Sequence, residues 1–154
     1  MEALGTFDIS VVVQFLIALL LGALLGTERT LAHKKAGMRT YGLVSMGSCL
    51  FVVTSLIFFV TFGAAAMPEL MRVIAGIITG VGFLGTGVII FKDTELTGGL
   101  TTAAGLWVAA GIGVAVGFKL YAVAALATVL TLLTFTIFWY LENRVKDITN
   151  GHEG

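Results

Sequence analysis

Five long apolar segments run through this chain and restrict it to very few folds. They cover residues 9–26, 41–62, 72–91, 98–117 and 118–141. Each segment is close to the roughly 20 residues that a helix needs to cross a bilayer. In lipid the backbone polar groups must be hydrogen-bonded within the segment, so such a segment crosses as a helix. The sequence therefore predicts an all-α bundle of about five transmembrane helices, with residues 1–154 forming a single membrane domain and no separate soluble domain.

The composition favours the same interpretation. Hydrophobic residues make up 58% of the chain and charged residues 12%, about half of the roughly 25% charged share of soluble domains. The formal net charge is zero, and the basic residues flank a hydrophobic span rather than alternate with aromatic ones, so nucleic acid is not an expected partner. The lipid bilayer is the expected surrounding.

The lysines and arginines predict how the bundle is oriented. If the N-terminus lies outside the cell, seven of the nine basic residues fall on the cytoplasmic side and two fall outside. The cytoplasmic set is Arg29, Lys34, Lys35, Arg39, Lys92, Arg144 and Lys146, and the outer set is Arg72 and Lys119. Because cytoplasmic loops carry an excess of basic residues, the sequence predicts an outer N-terminus and a cytoplasmic C-terminus.

The segment between the first two spans, from Thr27 to Thr40, holds most of this charge. Its ionisable side chains would each cost about 3 kcal/mol or more at the bilayer centre. They are Glu28, Arg29, His33, Lys34, Lys35 and Arg39. The segment is therefore predicted to be a loop at the membrane surface, where each basic residue contributes about 1 kcal/mol of attraction to anionic lipid head groups.

Glycines are concentrated in the third span, and two interpretations of them stay open. They stand at Gly76, Gly80, Gly82, Gly85 and Gly87. Small residues four apart let two helices pack closely, whereas so many glycines also permit a broken helix whose carbonyls line a polar cavity. Gly113 and Gly117 repeat the spacing in the fourth span, which favours a compact bundle or a homo-oligomer.

The connection between the third and fourth spans offers the chain's candidate metal ligands. Asp93 and Glu95 supply the hard oxygens that Mg²⁺ prefers, and a solvated acidic turn is the alternative. Whether residues 92–102 re-enter the bundle is left open. The sequence contains no catalytic triad, phosphate-binding glycine loop or zinc motif, so neither an enzyme nor a tightly bound cofactor is expected, and Mg²⁺ is the candidate ion for this connection.

Three stretches together resemble one protein family. They read GTERTLAHKKAGMRTYGLVSMGSCLF, RVIAGIITGVGFLGTGVIIF and GLTTAAGLWVAAGIGVAVG. In this order they are similar to the membrane domain of the MgtC/SapB family of bacterial inner-membrane proteins, in its short form. The matching motif residues are Glu28, Arg29, Gly37, Arg39 and Thr40; then Arg72, Gly80, Gly82, Phe83, Leu84, Gly85 and Gly87; then Gly99, Leu100, Thr101, Thr102, Ala103, Ala104 and Trp107.

The chain also departs from the family pattern. Members often have an Asp-Pro pair just before the arginine of the third span and a glutamine within that span. Here Pro68 and Glu69 precede Arg72, and Gly76 stands near the place of the glutamine. Many members carry a soluble C-terminal domain that is not expected here. The resemblance implies a multi-pass inner-membrane protein linked to magnesium limitation, to survival or virulence in hosts, and to control of membrane energetics through partner proteins.

Two functions follow as hypotheses. The first is a non-enzymatic regulator that acts in Mg²⁺ or cation homeostasis by packing against a membrane protein complex, because no ionisable residue is predicted in the middle of a span. The second is a small oligomeric carrier or channel. Its polar path would be formed by Asp93, Glu95, Thr101 and Thr102 together with the glycine-rich third span.

Overall fold

A computed structural model describes residues 9–63, 67–90 and 96–150, and all of its long elements are helices. They are α1 (Ile9–Leu31), α2 (Met38–Phe62), α3 (Met67–Ile90), α4 (Leu96–Gly117), α5 (Tyr121–Leu133), a π-helical segment (Thr134–Phe138) and α6 (Trp139–Asn150). The last three follow one another without a break and form one long helix. Five helices are long and apolar enough to cross a membrane, which confirms the predicted helical bundle.

The first connection is much shorter than predicted. α1 continues to Leu31 and α2 begins at Met38, so the prediction of a loop from Thr27 to Thr40 is wrong at both ends. The residues Thr27 to Leu31 stay helical, and the side chains of Glu28, Arg29 and Thr30 have the partners described below. We call the end of the bundle where α1 ends and α2 begins the basic end.

Other predicted boundaries also shift. α3 begins at Met67 rather than Arg72. Pro68, at the second helical position, does not prevent this, because backbone N–H groups in the first turn have no partner within the helix and the N–H that proline lacks is one of these. The last helix continues beyond residue 141, the predicted end of the fifth span, to Asn150. α4 begins at Leu96, so residues 96–102 of the connection whose re-entry was left open are helical, and residues 92–95 lie outside the described residues.

α4 lies at the centre of the bundle. It contacts α1, α2, α3 and α5, and half of its apolar span is buried, compared with 17–28% of the other four spans. Its buried residues include Leu106, Ala109, Ile112 and Val116. Large apolar side chains on the outer helices are instead exposed, as expected for surfaces that face lipid.

Glycines let α2 and α4 approach at the level of their backbones. A Cβ atom added at Gly113 would overlap the carbonyl oxygen of Ser45 and lie 2.9 Å from the Cβ of Ser48. One added at Gly117 would lie 2.7 Å from the Cβ of Val52. The spacing of four in α4 is therefore a packing face within this chain, which supports the compact-bundle interpretation.

α3 packs less closely. It is continuous from Met67 to Ile90, so the broken-helix interpretation is wrong for this structure. Among its glycines only Gly85 meets a neighbour, with Ala103 of α4 at 3.2 Å from an added Cβ. The other four, Gly76, Gly80, Gly82 and Gly87, have nothing within 4 Å of that position.

Candidate functional site

A buried ion pair lies at the basic end, in the last turns of α1. The Nε atom of Arg29 donates a hydrogen bond to Oε2 of Glu28. The Arg29 side chain is 5% exposed, whereas that of Glu28 is 23% exposed. A buried charge is stable only when it is paired, so Glu28 neutralises a guanidinium that is held away from water.

An aromatic ring covers the other side of this guanidinium. The Cζ atom of Arg29 lies 3.8 Å from the centroid of the Phe135 ring, within the range of a cation–π interaction. Phe135 is buried although its neighbours in the π-helical segment are exposed. π-helical turns are rare and often occur at functional sites, and here the segment supplies the ring that contacts Arg29.

Tyr41 joins this cluster to the start of α4. Its side chain is fully buried, and its hydroxyl donates a 3.0 Å hydrogen bond to the carbonyl oxygen of Thr102. Gly105 lies one turn further along α4, where an added Cβ would overlap the Tyr41 hydroxyl and lie 2.7 Å from Cζ of Phe135. The absence of a side chain at 105 therefore allows Tyr41 and Phe135 both to pack closely against α4.

The tight α1–α2 corner fixes the position of this cluster. Thr30 donates to the carbonyl of Gly26 at 2.9 Å and accepts from the backbone N–H of Met38 at 3.3 Å. A Cβ added at Gly26 would lie 2.5 Å from the Cα of Met38, and one at Gly37 would overlap the hydroxyl oxygen of Thr30. Two glycines thus bring α1 and α2 together beside the ion pair.

We call Glu28, Arg29, Tyr41, Thr102, Gly105 and Phe135 the basic-end cluster. It combines one neutralised ion pair, one aromatic contact and one hydrogen bond, and it joins four segments of the chain. In networks of buried polar groups, removing one member can change stability by more than the loss of a single pairwise contact. Within the described residues no three His, Cys, Asp or Glu side chains come together in a way that could hold a metal ion.

The structure brings some predicted site residues together and separates others. Glu28, Arg29 and Thr102 belong to the basic-end cluster, whereas Thr101 is exposed. Trp107 is 53% exposed and lies outside it. Asp93 and Glu95, the predicted metal ligands, lie outside the described residues.

The remaining predicted residues lie on α2 and α3. Arg39 and Thr40 are exposed in the first turn of α2, and with Gly80 they line a cavity between the two helices. Arg72 is at the other end of the bundle, where it forms an exposed ion pair with Glu69 at 3.4 Å. Exposed pairs of this type contribute little to stability, so Arg72 is not part of the basic-end cluster.

Sequence reasoning missed three members of the cluster. Tyr41 and Gly105 lie within the stretches that resemble the MgtC/SapB family and are adjacent or close to motif residues, but they were not themselves predicted as site residues. Phe135 is one of eleven phenylalanines, and nothing local distinguishes it. Gln14 at the opposite end of the bundle is a further buried polar residue, whose Nε2 donates to the carbonyls of Val116 and Gly117 at 3.1 and 3.0 Å.

The comparisons with known proteins are consistent with this architecture. The chain matches the MgtC family over residues 15–144. It is 39% identical over 136 residues to Protein SrpB of Synechococcus elongatus, covering 84% of this chain and 75% of SrpB. It is 37% identical over 145 residues to a protein of Escherichia coli (strain K12) named "Putative magnesium transporter YhiD", covering 87% of this chain and 65% of YhiD.

A third relative is Protein MgtC of Brucella abortus (strain 2308). The identity is 44% over 112 residues, covering 73% of this chain and 44% of MgtC. The chain therefore spans less than two thirds of the length of YhiD and less than half of MgtC. No solved structure matches the chain significantly.

Proposed function

Because the chain belongs to the MgtC family, we propose that it acts in Mg²⁺ or cation homeostasis at the bacterial inner membrane, as a non-enzymatic regulator of a membrane protein complex. The magnesium part of the proposal is supported by the names of relatives, since YhiD carries magnesium transport in its name. The regulator part is supported by the packing of the bundle.

The observation that carries the regulator proposal is that, in the described part of the bundle, no acidic side chain lies in the middle of a membrane-spanning helix. The glutamates whose side chains are described, Glu28, Glu69 and Glu142, all lie near an end of a helix that crosses or leaves the membrane. The central residues of α2 and α4 are apolar or small and pack at backbone distance, as at Ser45 and Gly113. A cation carrier needs oxygen ligands along its route.

The outer surface supports contact with a partner. α3 leaves four of its five span glycines without a neighbour near the position of a Cβ atom, and small residues of this kind let another helix approach closely in lipid. The alternative, an oligomeric carrier, would use such a contact between copies, with Asp93, Glu95 and Thr101 along the interface.

Flux measurements separate the regulator from the carrier. The purified chain is reconstituted into liposomes that contain a Mg²⁺-sensitive dye, with empty liposomes and a known Mg²⁺ channel as references. We expect uptake equal to that of empty liposomes. Uptake above that level that is lost in the Asp93→Ala, Glu95→Ala double variant would replace the regulator proposal with the carrier.

A partner search tests the regulator directly. A photo-crosslinking residue is placed at Phe83, which is 80% exposed on α3, and a matched probe is placed at Leu20, which is 61% exposed on α1. We expect a specific membrane protein to be crosslinked in cells grown at low Mg²⁺ from the α3 probe and not from the α1 probe. Equal and diffuse labelling from both positions would contradict a partner site on α3.

A further inference from the structure

A long apolar groove runs along the outside of the bundle between α2 and α3. Its volume is about 690 Å³, within the range of about 300–1,000 Å³ that is typical of ligand sites. Gly47 of α2 and Gly76 and Gly80 of α3 line it, and the missing side chains create its depth. The groove opens sideways, because the lining residues Leu43 and Phe51 are more than half exposed.

The length of the groove corresponds to one leaflet. Along α2 it extends from Arg39 to Phe51, which at about 1.5 Å per residue is roughly 18 Å. Half of the roughly 30 Å hydrocarbon core is about 15 Å. On α3 the lining runs from Val73 to Leu84, a similar length, and stops short of both ends of that helix. A helix that crossed the membrane would need a contact surface through both leaflets, whereas one acyl chain needs only this length.

The groove is charged at one end only. Arg39 and Thr40 lie at its basic end, in the first turn of α2. Arg39 takes part in neither of the two ion pairs described above, those of Arg29 with Glu28 and of Arg72 with Glu69. The first turn of a helix also favours an anion, because its backbone N–H groups point beyond the helix N-terminus and carry a partial positive charge. An apolar channel that ends at a guanidinium complements a molecule with an anionic head and an apolar tail.

We propose that the α2–α3 groove binds an anionic phospholipid, with one acyl chain along Gly47, Gly76 and Gly80 and the phosphate at Arg39 and Thr40. The site is specific for one lipid molecule, in contrast to general attraction between the basic end and the membrane surface. It assigns Gly76 and Gly80 to the lipid, so the open glycines of α3 that stay available to a partner helix are Gly82 and Gly87, which lie outside the groove.

Native mass spectrometry of the detergent-purified protein tests the proposal. Dioleoyl phosphatidylglycerol and dioleoyl phosphatidylethanolamine, which share their acyl chains, are titrated separately. We expect one phosphatidylglycerol to be retained in preference to phosphatidylethanolamine. Arg39→Gln should weaken its retention about fivefold, the equivalent of one basic contact. Arg144→Gln removes an exposed charge on α6, away from the groove, and should leave retention unchanged.

Filling the groove tests the acyl-chain part. Gly80→Leu and Gly76→Leu each place a side chain in the groove where an added Cβ meets nothing within 4 Å, so the fold should accept them. Both should reduce retention of either lipid, whereas Gly82→Leu, also open but outside the groove, should not. Glycerol 3-phosphate, which lacks acyl chains, should not compete.

Each of three outcomes would overturn the proposal. One is equal lipid retention by the wild type, the Arg39 variant and both groove-filling variants. Another is a loss of oligomeric mass in the groove-filling variants with lipid retention unchanged, which would assign the groove to a second copy of the chain. The third is competition by glycerol 3-phosphate, which would assign Arg39 to a free phosphate site.

Discussion

The guanidinium of Arg29 lies against the ring of Phe135, with 3.8 Å between Cζ and the ring centroid. This contact joins the end of α1 to the π-helical segment of the last span. The carboxylate of Glu28 occupies another side of the same guanidinium. The charge is thus enclosed by one anion and one aromatic face, and the two partners should differ in what their removal costs.

Loss of the carboxylate should be more harmful than loss of the whole pair. Glu28→Ala leaves Arg29 buried without a counter-charge, a change that costs about 3–5 kcal/mol for fully buried pairs and less here because Glu28 is partly exposed. Adding Arg29→Met removes the uncompensated charge and keeps an apolar side chain in place. We therefore expect the double variant to be more stable than Glu28→Ala alone.

Thermal unfolding in detergent provides the measurement. Cys49 is the only cysteine and is fully buried, so a thiol-reactive dye reports when the bundle opens. A double variant that melts at or below the temperature of Glu28→Ala would show that Arg29 is not an uncompensated charge in the single variant.

Phe135→Leu should remove the aromatic contact while retaining most of the apolar volume. A desolvated cation–π contact contributes up to about 2 kcal/mol, so we expect a loss of about 1–2 kcal/mol. Phe83→Leu is the matched control, because Phe83 is 80% exposed on α3 and should melt like the wild type. Equal melting temperatures for both variants would show that Phe135 acts only as packing volume.

The sequence predicted the helices well and the site only in part. Hydropathy marks each span because burial in lipid depends on composition alone, and the five membrane-spanning helices are confirmed. The prediction of helix boundaries from hydropathy was wrong from Thr27 to Leu31, because the charged residue Arg29 was assigned to a loop and lies in a helix. One partner that allows this charge to stay in a helix, Phe135, comes from the π-helical segment more than 100 residues later in the chain, and no local pattern indicates that contact.

For the glycines too, the sequence predicted one helix contact correctly and another wrongly. The spacing of four at Gly113 and Gly117 predicted close packing, which the structure has. The richer glycine set of α3 gave a stronger signal of the same kind, but only Gly85 packs within the chain. Which helix lies opposite a glycine depends on the tertiary arrangement, so spacing alone cannot separate a buried face from an open groove.

Gly113→Ala should destabilise the bundle, whereas Gly111→Ala should leave its stability unchanged or raise it. An added methyl at Gly113 meets the backbone carbonyl of Ser45, which cannot rotate away, whereas at Gly111 it meets nothing within 4 Å. Overpacking costs about 1–3 kcal/mol, and alanine improves on glycine in a helix by up to about 1 kcal/mol. The dye assay on Cys49 should therefore give a lower melting temperature for the first variant and an equal or higher one for the second. Similar losses in both would contradict the close α2–α4 approach.

Tyr41→Phe should weaken the joint between α2 and α4 modestly. It removes the 3.0 Å hydrogen bond to the carbonyl of Thr102 and keeps the ring in its fully buried position. Hydrogen bonds between membrane helices contribute about 0.6 kcal/mol on average and up to about 1.7 kcal/mol, so a loss in this range is expected. Tyr140→Phe, at a 57% exposed position, serves as the control and should have no effect.

The orientation of the bundle leads to a prediction about accessibility. In a Cys49→Ala background, single cysteines replace Lys34 in the α1–α2 connection and Leu120 in the α4–α5 turn. Three spans separate the two positions, so they must lie on opposite sides of the membrane. Four of the nine basic residues lie in or beside the α1–α2 connection and only Lys119 lies beside the α4–α5 turn, so the positive-inside rule places Lys34 in the cytoplasm. A membrane-impermeant maleimide added to intact spheroplasts should label Leu120→Cys and spare Lys34→Cys until the cells are lysed. The reverse pattern would invert the orientation, and labelling of both from outside would contradict the five-span bundle itself.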